Sequence, residues 1–309
     1  MMKPLVNCHT HLELGWLADL CPAGDGEPFV PWIVKLVNRN RHAAESGQRE
    51  KWIQAAIEQG IQNLLNCGTT HIGDICQSGL SIEPLLDSGL AGVVYLEVIG
   101  PEAGMWPASF ERAKKWVERY RPAERNGLRI GLSPHAPYST HPEAFKAVTA
   151  YCLKEDLPMC IHLAESPAET ETIHYGRGPF VELSWAVRAK PIPSPGLSPV
   201  AYMEALGVLA ARPLLVHAVQ VDEHDLDKIA AAGAKIAHCP RSNSLLQCGR
   251  MPLEKMLIRG IPVALGTDSL ASSPSLNILE EAAAAVVVHE EWLPAGVIQQ
   301  LLHNSKVLT

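Results

Sequence analysis

The stretch PLLVHAVQVDEHDLDKIAAAGAKIAHCPRSN (213–243) holds one full turn of the pattern that decides the fold. An apolar run, PLLVH (213–217), ends in a histidine. An amphipathic stretch, DEHDLDKIAAAG (222–233), comes next. A second apolar run, AKIAH (234–238), ends in a histidine again. Short runs that are apolar throughout read as strands buried on both faces. Such strands belong to parallel sheets whose crossovers are helices. Working outward, the alternation recurs along the chain. Further candidate strands are PLVNC (4–8), TTHIGD (69–74), AGVVYLEV (91–98), LRIGLS (128–133), MCIHL (159–163) and PVALGT (262–267). Helical patterns separate them, among them 49–65, 109–120, 142–156, 252–260 and 276–291, with a shorter link at 81–89. Eight such units predict an α/β fold, a (β/α)8 TIM-like barrel, as one domain over 1–309. An open doubly wound sheet is the alternative, but no glycine-rich phosphate turn follows any strand. The Pro-rich KPIPSPGLSP (190–199) reads as a long loop inside the fifth unit.

Composition sets the broad class. The chain has 309 residues, is 47% hydrophobic and 19% charged, and can bury a sizeable core. A formal net charge of -7 without a basic tract argues against a nucleic-acid partner. No apolar run reaches transmembrane length, and the AAAAVVV run (282–288) reads as helix core. MMKPLVN lacks the apolar core of a signal peptide. Eight cysteines without a CxxC read as reduced thiols, so a cytoplasmic location is expected. Cys8, Cys160 and Cys239 read as small core residues. The expected partner is a small-molecule substrate, not nucleic acid or membrane, with a homodimer left open.

The strand ends carry the chemistry. In a barrel, reactive groups gather at the carboxyl ends of the strands. Read in turn, those ends offer His9 and His11, then Asp74, Glu97, His135, His162, His217, His238 and Asp268. In VNCHTHLEL (6–14), His9 and His11 are two residues apart, so their side chains share a face about 6–7 Å apart. A catalytic zinc or iron(II) keeps few protein ligands and an open position. HxH supplies two ligands, and His162 and Asp268 are natural additions. Glu165, three residues after His162, is placed as a general acid/base, and His217 can hydrogen-bond the attacking water or the substrate. Asp74 reads first as a turn cap and Glu97 equally as substrate contact or ion pair. His135, on a loop between Pro134 and Pro137, reads as a substrate contact. His238 and Arg241 divide evenly between substrate contact and turn structure. Glu13 reads as a loop residue near the mouth. His174, His289 and His303 read as surface or helix-end residues, and His42 and His224 as solvated. The H-x-E at 11–13 lacks the P-C-x-x-C that accompanies H-x-E in one class of zinc enzymes.

The motifs VNCHTHLE, SPHAPYS, HLAES, HCPRSN and ALGTDSLAS, in this order, resemble the amidohydrolase superfamily in its cytosine-deaminase-like branch. The resemblance runs from about residue 5 to about residue 290. It implies one divalent metal ion, zinc first and iron(II) second, held by His9, His11, His162 and Asp268. It implies Glu165 as proton shuttle, with His217 and Asp268 orienting the attacking water, and the activity of an aminohydrolase on a heteroaromatic ring. HTHLEL, IGDI and CPRSN most resemble aminodeoxyfutalosine deaminases of menaquinone synthesis, which act on 6-amino-6-deoxyfutalosine. S-adenosylhomocysteine/methylthioadenosine, guanine and triazine-type deaminases or chlorohydrolases are the rivals, and a catalytically silent barrel is the rival of another class. Binuclear members use a lysine at the fourth strand end. IGLSPHAP has none, which implies a mononuclear site. The flanking β-sandwich usual in the branch is not apparent, so it is expected to have been lost or to lie outside this sequence. A substrate carboxylate needs a cation, and Arg177 and Arg241, on loops after the fifth and seventh strands, are the candidates. The competing reading pairs them with local acids such as Glu182.

Overall fold

The computed structural model describes residues 3–186 and 194–309. Residues 190–193 of the Pro-rich loop lie outside this set. Eight parallel strands appear where the alternation placed them: β1 (Val6–Thr10), β2 (His71–Cys76), β3 (Ala91–Val98), β4 (Leu128–Pro134), β5 (Cys160–Leu163), β6 (Leu214–His217), β7 (Lys235–His238) and β8 (Val263–Leu265). They form two four-stranded sheets, β1-β2-β3-β4 and β5-β6-β7-β8. Single parallel bridges join the halves, Leu132 to Met159 on one side and Thr10 to Asp268 on the other. The result is a closed (β/α)8 barrel.

Three apolar clusters define its layers. Val6, Cys8, Ile75, Val93, Tyr95, Cys160, Leu214, Val216, Ala237, Cys239 and Ala264 fill the interior, and Val307 and Leu308 join them. These are alternate residues of their strands, as the pleat requires. The three cysteines are thus core residues, as expected. A larger cluster packs the outer strand faces against helices such as Arg49–Asn66, Pro142–Glu155 and Ile278–His289. A third gathers Leu17, Phe29, Trp32, Tyr138, Phe180, Leu246 and Ala271 from the loops beyond the strand ends. Helix Phe29–Glu45, which the sequence reading missed, contributes much of it, and Trp32 Nε1 donates to the Ala271 carbonyl at 2.9 Å. The missed cue is Pro31, which sits in the first turn, where a proline needs no amide partner. No helix among the described residues is long and apolar enough to cross a membrane.

An irregularity in β1 shapes the end of the barrel where the histidines gather. β1 pairs Asn7 with Ile72 but Thr10 with Asp74, so one extra residue is inserted between them. This bulge changes the parity of β1 and turns both His9 and His11 inward beyond Val6. It also needs close backbone approach. A Cβ at Gly73 would lie 2.2 Å from the Cys8 carbonyl oxygen, and one at Gly266 would lie 2.7 Å from the His9 Cβ.

Candidate metal centre and active site

Strand parity decides which end residues face the site. His162 follows inward Cys160 by two positions, and Asp268 follows Ala264 by four. Glu97 follows Val93 and Tyr95 in the same register. His217 breaks the rule, since Val216 points inward. Its φ of 74° re-aims the ring, and Asp268, at φ 60°, also sits in the left-handed region. Strained backbone of this kind gathers at functional sites.

His9, His11 and His162 bring ring nitrogens within 4.8 Å of one another, and Glu165, His217 and Asp268 form a second group of the same kind. His11 Nε2 and His162 Nε2 stand 3.1 Å apart. Asp268 Oδ1 lies 3.5 Å from His9 Nε2 and 3.6 Å from His11 Nε2. Both ring nitrogens of His9, and Nδ1 of His162, are buried without a hydrogen-bond partner. Burial, then the neighbouring imidazole of His9, lowers the His11 pKa to about 3. Burial and four surrounding histidines hold His162 well below its ordinary range. Burial opposes ionisation of Asp268, yet His9, His11 and His217 together hold its carboxyl well below the usual range. Neutral imidazoles at His11 and His162 beside an ionised Asp268 are protonation states that metal ligands require. The orphaned nitrogens and this donor chemistry fit a divalent cation.

The second group is poised for proton transfer. Glu165 Oε1 lies 3.3 Å from His217 Nε2. Burial, then the charges of Asp268 and Glu169, push the Glu165 carboxyl well up from its ordinary range. His217 Nδ1 donates to Asn243 Oδ1 at 2.9 Å, which leaves the Nε2 lone pair toward Glu165. Ser242 and Ser272 donate to Asp268 Oδ2 at 2.6 and 2.9 Å, so Oδ1 is the oxygen left for the cluster. Glu169 accepts the amides of Ala164 and Glu165, both at 2.9 Å, and fixes the turn that presents Glu165. The reading from sequence missed Asn243, Ser242, Ser272 and Glu169. The available signals were the S-x-x-E spacing of SPAE (166–169), which marks a helix start, and the RSN after β7.

A polar wall lines the β2–β4 side. Gln77 Nε2 donates to Glu97 Oε2 at 2.7 Å, and Glu97 Oε1 lies 3.9 Å from His135 Nε2. Burial raises the Glu97 pKa to about 7 and lowers that of His135 to about 4. The His135 ring packs 4.7 Å from that of His162.

Several expectations are corrected. Arg241 does not overhang the mouth with a free guanidinium. Its Nε donates to buried Glu281 at 2.5 Å, Nη1 to Glu280 and Ser275, and Nη2 to the carbonyls of Ser275 and Asn277. It braces the loop after β8. His238 lies between inward Ala237 and Cys239, so parity turns it outward, where Nε2 meets Nε2 of His289 at 3.0 Å. His289 is accordingly fully buried, not a surface residue. Glu13 is buried and accepts from the Gln77 and Ser78 amides and the Ser78 hydroxyl, which leaves it no role at the mouth. Asp74, outward by parity, accepts from Leu12 N, Thr10 Oγ1 and Ser81 Oγ. Arg177 is exposed, with its guanidinium 5.0 Å from the Tyr175 ring centre.

Comparison with known proteins agrees with this architecture. The family model described as "Amidohydrolase family" matches residues 4–299. Aminodeoxyfutalosine deaminase of Deinococcus radiodurans is 37% identical over 291 residues, which cover 90% of this chain and 66% of that protein. A 5-methylthioadenosine/S-adenosylhomocysteine deaminase of Nitratidesulfovibrio vulgaris is 30% identical, over 94% of this chain and 61% of its own length. The chain therefore spans about two thirds or less of these two relatives. Among solved structures, Helicobacter pylori aminofutalosine deaminase in complex with methylthio-coformycin superposes with a TM-score of 0.81 at 23% identity, covering 99% of this chain and 74% of that one. The fold, the extent of the family match and the 37% identical relative lead to one conclusion: this chain belongs to the amidohydrolase family.

Proposed function

We propose that the protein is a metal-dependent hydrolytic deaminase of an aminated heteroaromatic ring carried on a nucleoside, with 6-amino-6-deoxyfutalosine as the first substrate to test. The observation that carries this reading is the buried Glu165 carboxyl set 3.3 Å from His217 Nε2 beside the His9, His11, His162 and Asp268 cluster. Those four side chains would hold one divalent ion, zinc by preference, since three nitrogens and one carboxylate oxygen suit it. When bound, the ion supplies Lewis acidity and lowers the pKa of a water toward neutrality.

The chain's own residues do the rest. Asp268 is ionised and offers Oδ1 as acceptor for a water proton, held in place by Ser242 and Ser272. His217, fixed by Asn243, accepts at Nε2 and orients the attacking oxygen toward the ring carbon bearing the amine. Glu165 gives its proton to the ring nitrogen as the C–O bond forms. The first proton of the attacking water, taken up by Asp268, passes to the amine, which leaves as ammonia as the C–N bond breaks, and the proton of the added oxygen returns to Glu165 as the C=O bond forms. Glu97 and His135 stand on the opposite wall as substrate contacts, and Arg177 remains the candidate partner for a substrate carboxylate.

The similarity to relatives named for 5-methylthioadenosine and S-adenosylhomocysteine makes those nucleosides the second reading. The test is an ammonia-release screen of the zinc-loaded protein over 6-amino-6-deoxyfutalosine, 5′-methylthioadenosine, S-adenosylhomocysteine and adenosine. No ammonia from any of them, with one zinc bound per chain, would defeat the deaminase reading. Failure to bind metal at all would favour a silent barrel.

A further inference from the structure

Tyr138 lies three residues beyond His135 on the loop leaving β4 and is buried. Its ring stacks on Phe180, with centroids 4.3 Å apart and planes 13° from parallel. Phe29 meets both rings edge-on at 6.2 Å. On the inner side His135 stands perpendicular to Tyr138 at 5.9 Å and packs in turn against His162. An aromatic column therefore runs from the candidate metal cluster out to the mouth, and Tyr138 is its one phenol.

The hydroxyl needs an explanation. Among the described residues it makes no hydrogen bond, and its oxygen is not among the fully sealed, unpartnered atoms. Buried tyrosines ordinarily find a partner for this group, and a phenylalanine would fill the same stack without one. Its ring meets His135 edge-on and His135 packs on His162, so a single side chain separates it from the candidate cluster. Burial, then the carboxyl groups of Glu165 and Glu169, keep the phenol protonated and hence a donor.

We infer that the Tyr138 hydroxyl donates a hydrogen bond to an oxygen of the bound substrate, in the sugar-like part between the reacting ring and the mouth, and so selects nucleosides over free bases. This rests on the deaminase reading above and deepens it. Phe180 and Phe29 hold the phenol in place from behind, so the donor is set before substrate arrives and little rotamer freedom is lost on binding.

The experiment is Tyr138→Phe, with 5′-methylthioadenosine as probe and ammonia release as readout. The expected result is a KM raised about 2–12-fold, the span of one hydrogen bond, with kcat within about twofold. Binding of methylthio-coformycin by calorimetry should weaken by a similar factor. Melting temperature and zinc content should not fall, because no protein hydrogen bond is lost. An active variant with unchanged KM and unchanged inhibitor affinity overturns the inference alone. So does a variant whose melting temperature and kcat fall together while KM stays, since that marks a structural brace. A wild-type protein that releases no ammonia and binds no inhibitor overturns the deaminase reading, and this inference with it.

Discussion

Asp74 is the residue to perturb first, because its role can be worked out bond by bond. Oδ1 accepts the Leu12 amide at 3.0 Å and the Thr10 hydroxyl at 3.0 Å, and Oδ2 accepts the Ser81 hydroxyl at 2.7 Å. Thr10 and Leu12 flank His11. Asp74→Ala leaves three buried donors without an acceptor, at about 1–3 kcal/mol for each that cannot reorient. The two hydroxyls can turn, and Thr10 Oγ1 already reaches the Gly73 carbonyl at 3.4 Å, so the amide sets the cost and about 1–3 kcal/mol is expected. At about 2 °C per kcal/mol for a chain of this size, that lowers the melting temperature by about 2–6 °C. It also loosens His11, so zinc affinity should fall. Asp74→Asn should be far milder, since Oδ1 still accepts twice and Nδ2 can donate to Ser81. The two variants also differ in pH response. Burial chiefly raises the Asp74 pKa from 3.8 to about 7. The folded state thus binds this proton more tightly than the unfolded chain. Its contribution is complete below pH 3.8 and is lost as pH rises to about 7. The asparagine cannot titrate, so its melting temperature should improve relative to wild type between pH 4 and pH 8. Differential scanning fluorimetry across that range, with zinc measured alongside, is the assay. An Asp74→Ala protein that melts within about 1 °C of wild type and keeps its zinc refutes the bracing argument.

Further outcomes are expected at the site. Elemental analysis should find one divalent ion per chain, and replacing His9 and His11 together with alanine should abolish it; two ions, or full loading of the double variant, would defeat the ligand assignment. Glu165→Gln should keep metal and fold but lose about 10²–10⁴-fold in turnover, because the amide cannot carry the proton; near wild-type rates with metal retained would remove Glu165 from proton transfer. Arg241→Ala leaves the Glu281 carboxyl buried and unpaired, so it should cost about 3–5 kcal/mol in urea unfolding and slow carboxylate-bearing and neutral substrates equally. A loss confined to the carboxylate substrate would return Arg241 to the binding site.

The alternation of apolar runs carried the barrel because a parallel strand is covered on both sides and leaves a continuous apolar signature. The same property hid part of the site. When every strand residue is apolar, the sequence does not show which parity faces in, so strand position alone does not separate His238 and Asp74 from His162 and Glu97. His289, at the end of helix Ile278–His289, meets His238 on the outer side, and Ser81 claims Asp74. His217 comes to lie beside Glu165 through its left-handed backbone, which the sequence does not show. Arg241 was misplaced because Glu280 and Glu281, some forty positions away in the chain, meet it only in three dimensions. Tyr138 and Phe180 are single aromatics on separate loops, and nothing local marks them as a pair.

The two single-bridge seams have a mechanical consequence. His9 and His11 belong to the half-barrel β1–β4, while His162 and Asp268 belong to β5–β8. Each half therefore supplies two of the four candidate ligands. An ion gripped by that set acts as a rivet across the halves, most directly at the Thr10–Asp268 seam, where a single backbone bond, Asp268 N to the His9 carbonyl at 3.0 Å, lies beside it. Stripping the ion should then unzip the molecule along a line instead of softening it evenly. Amide exchange would quicken first at Asp268 and spare the continuously laddered middle of each half.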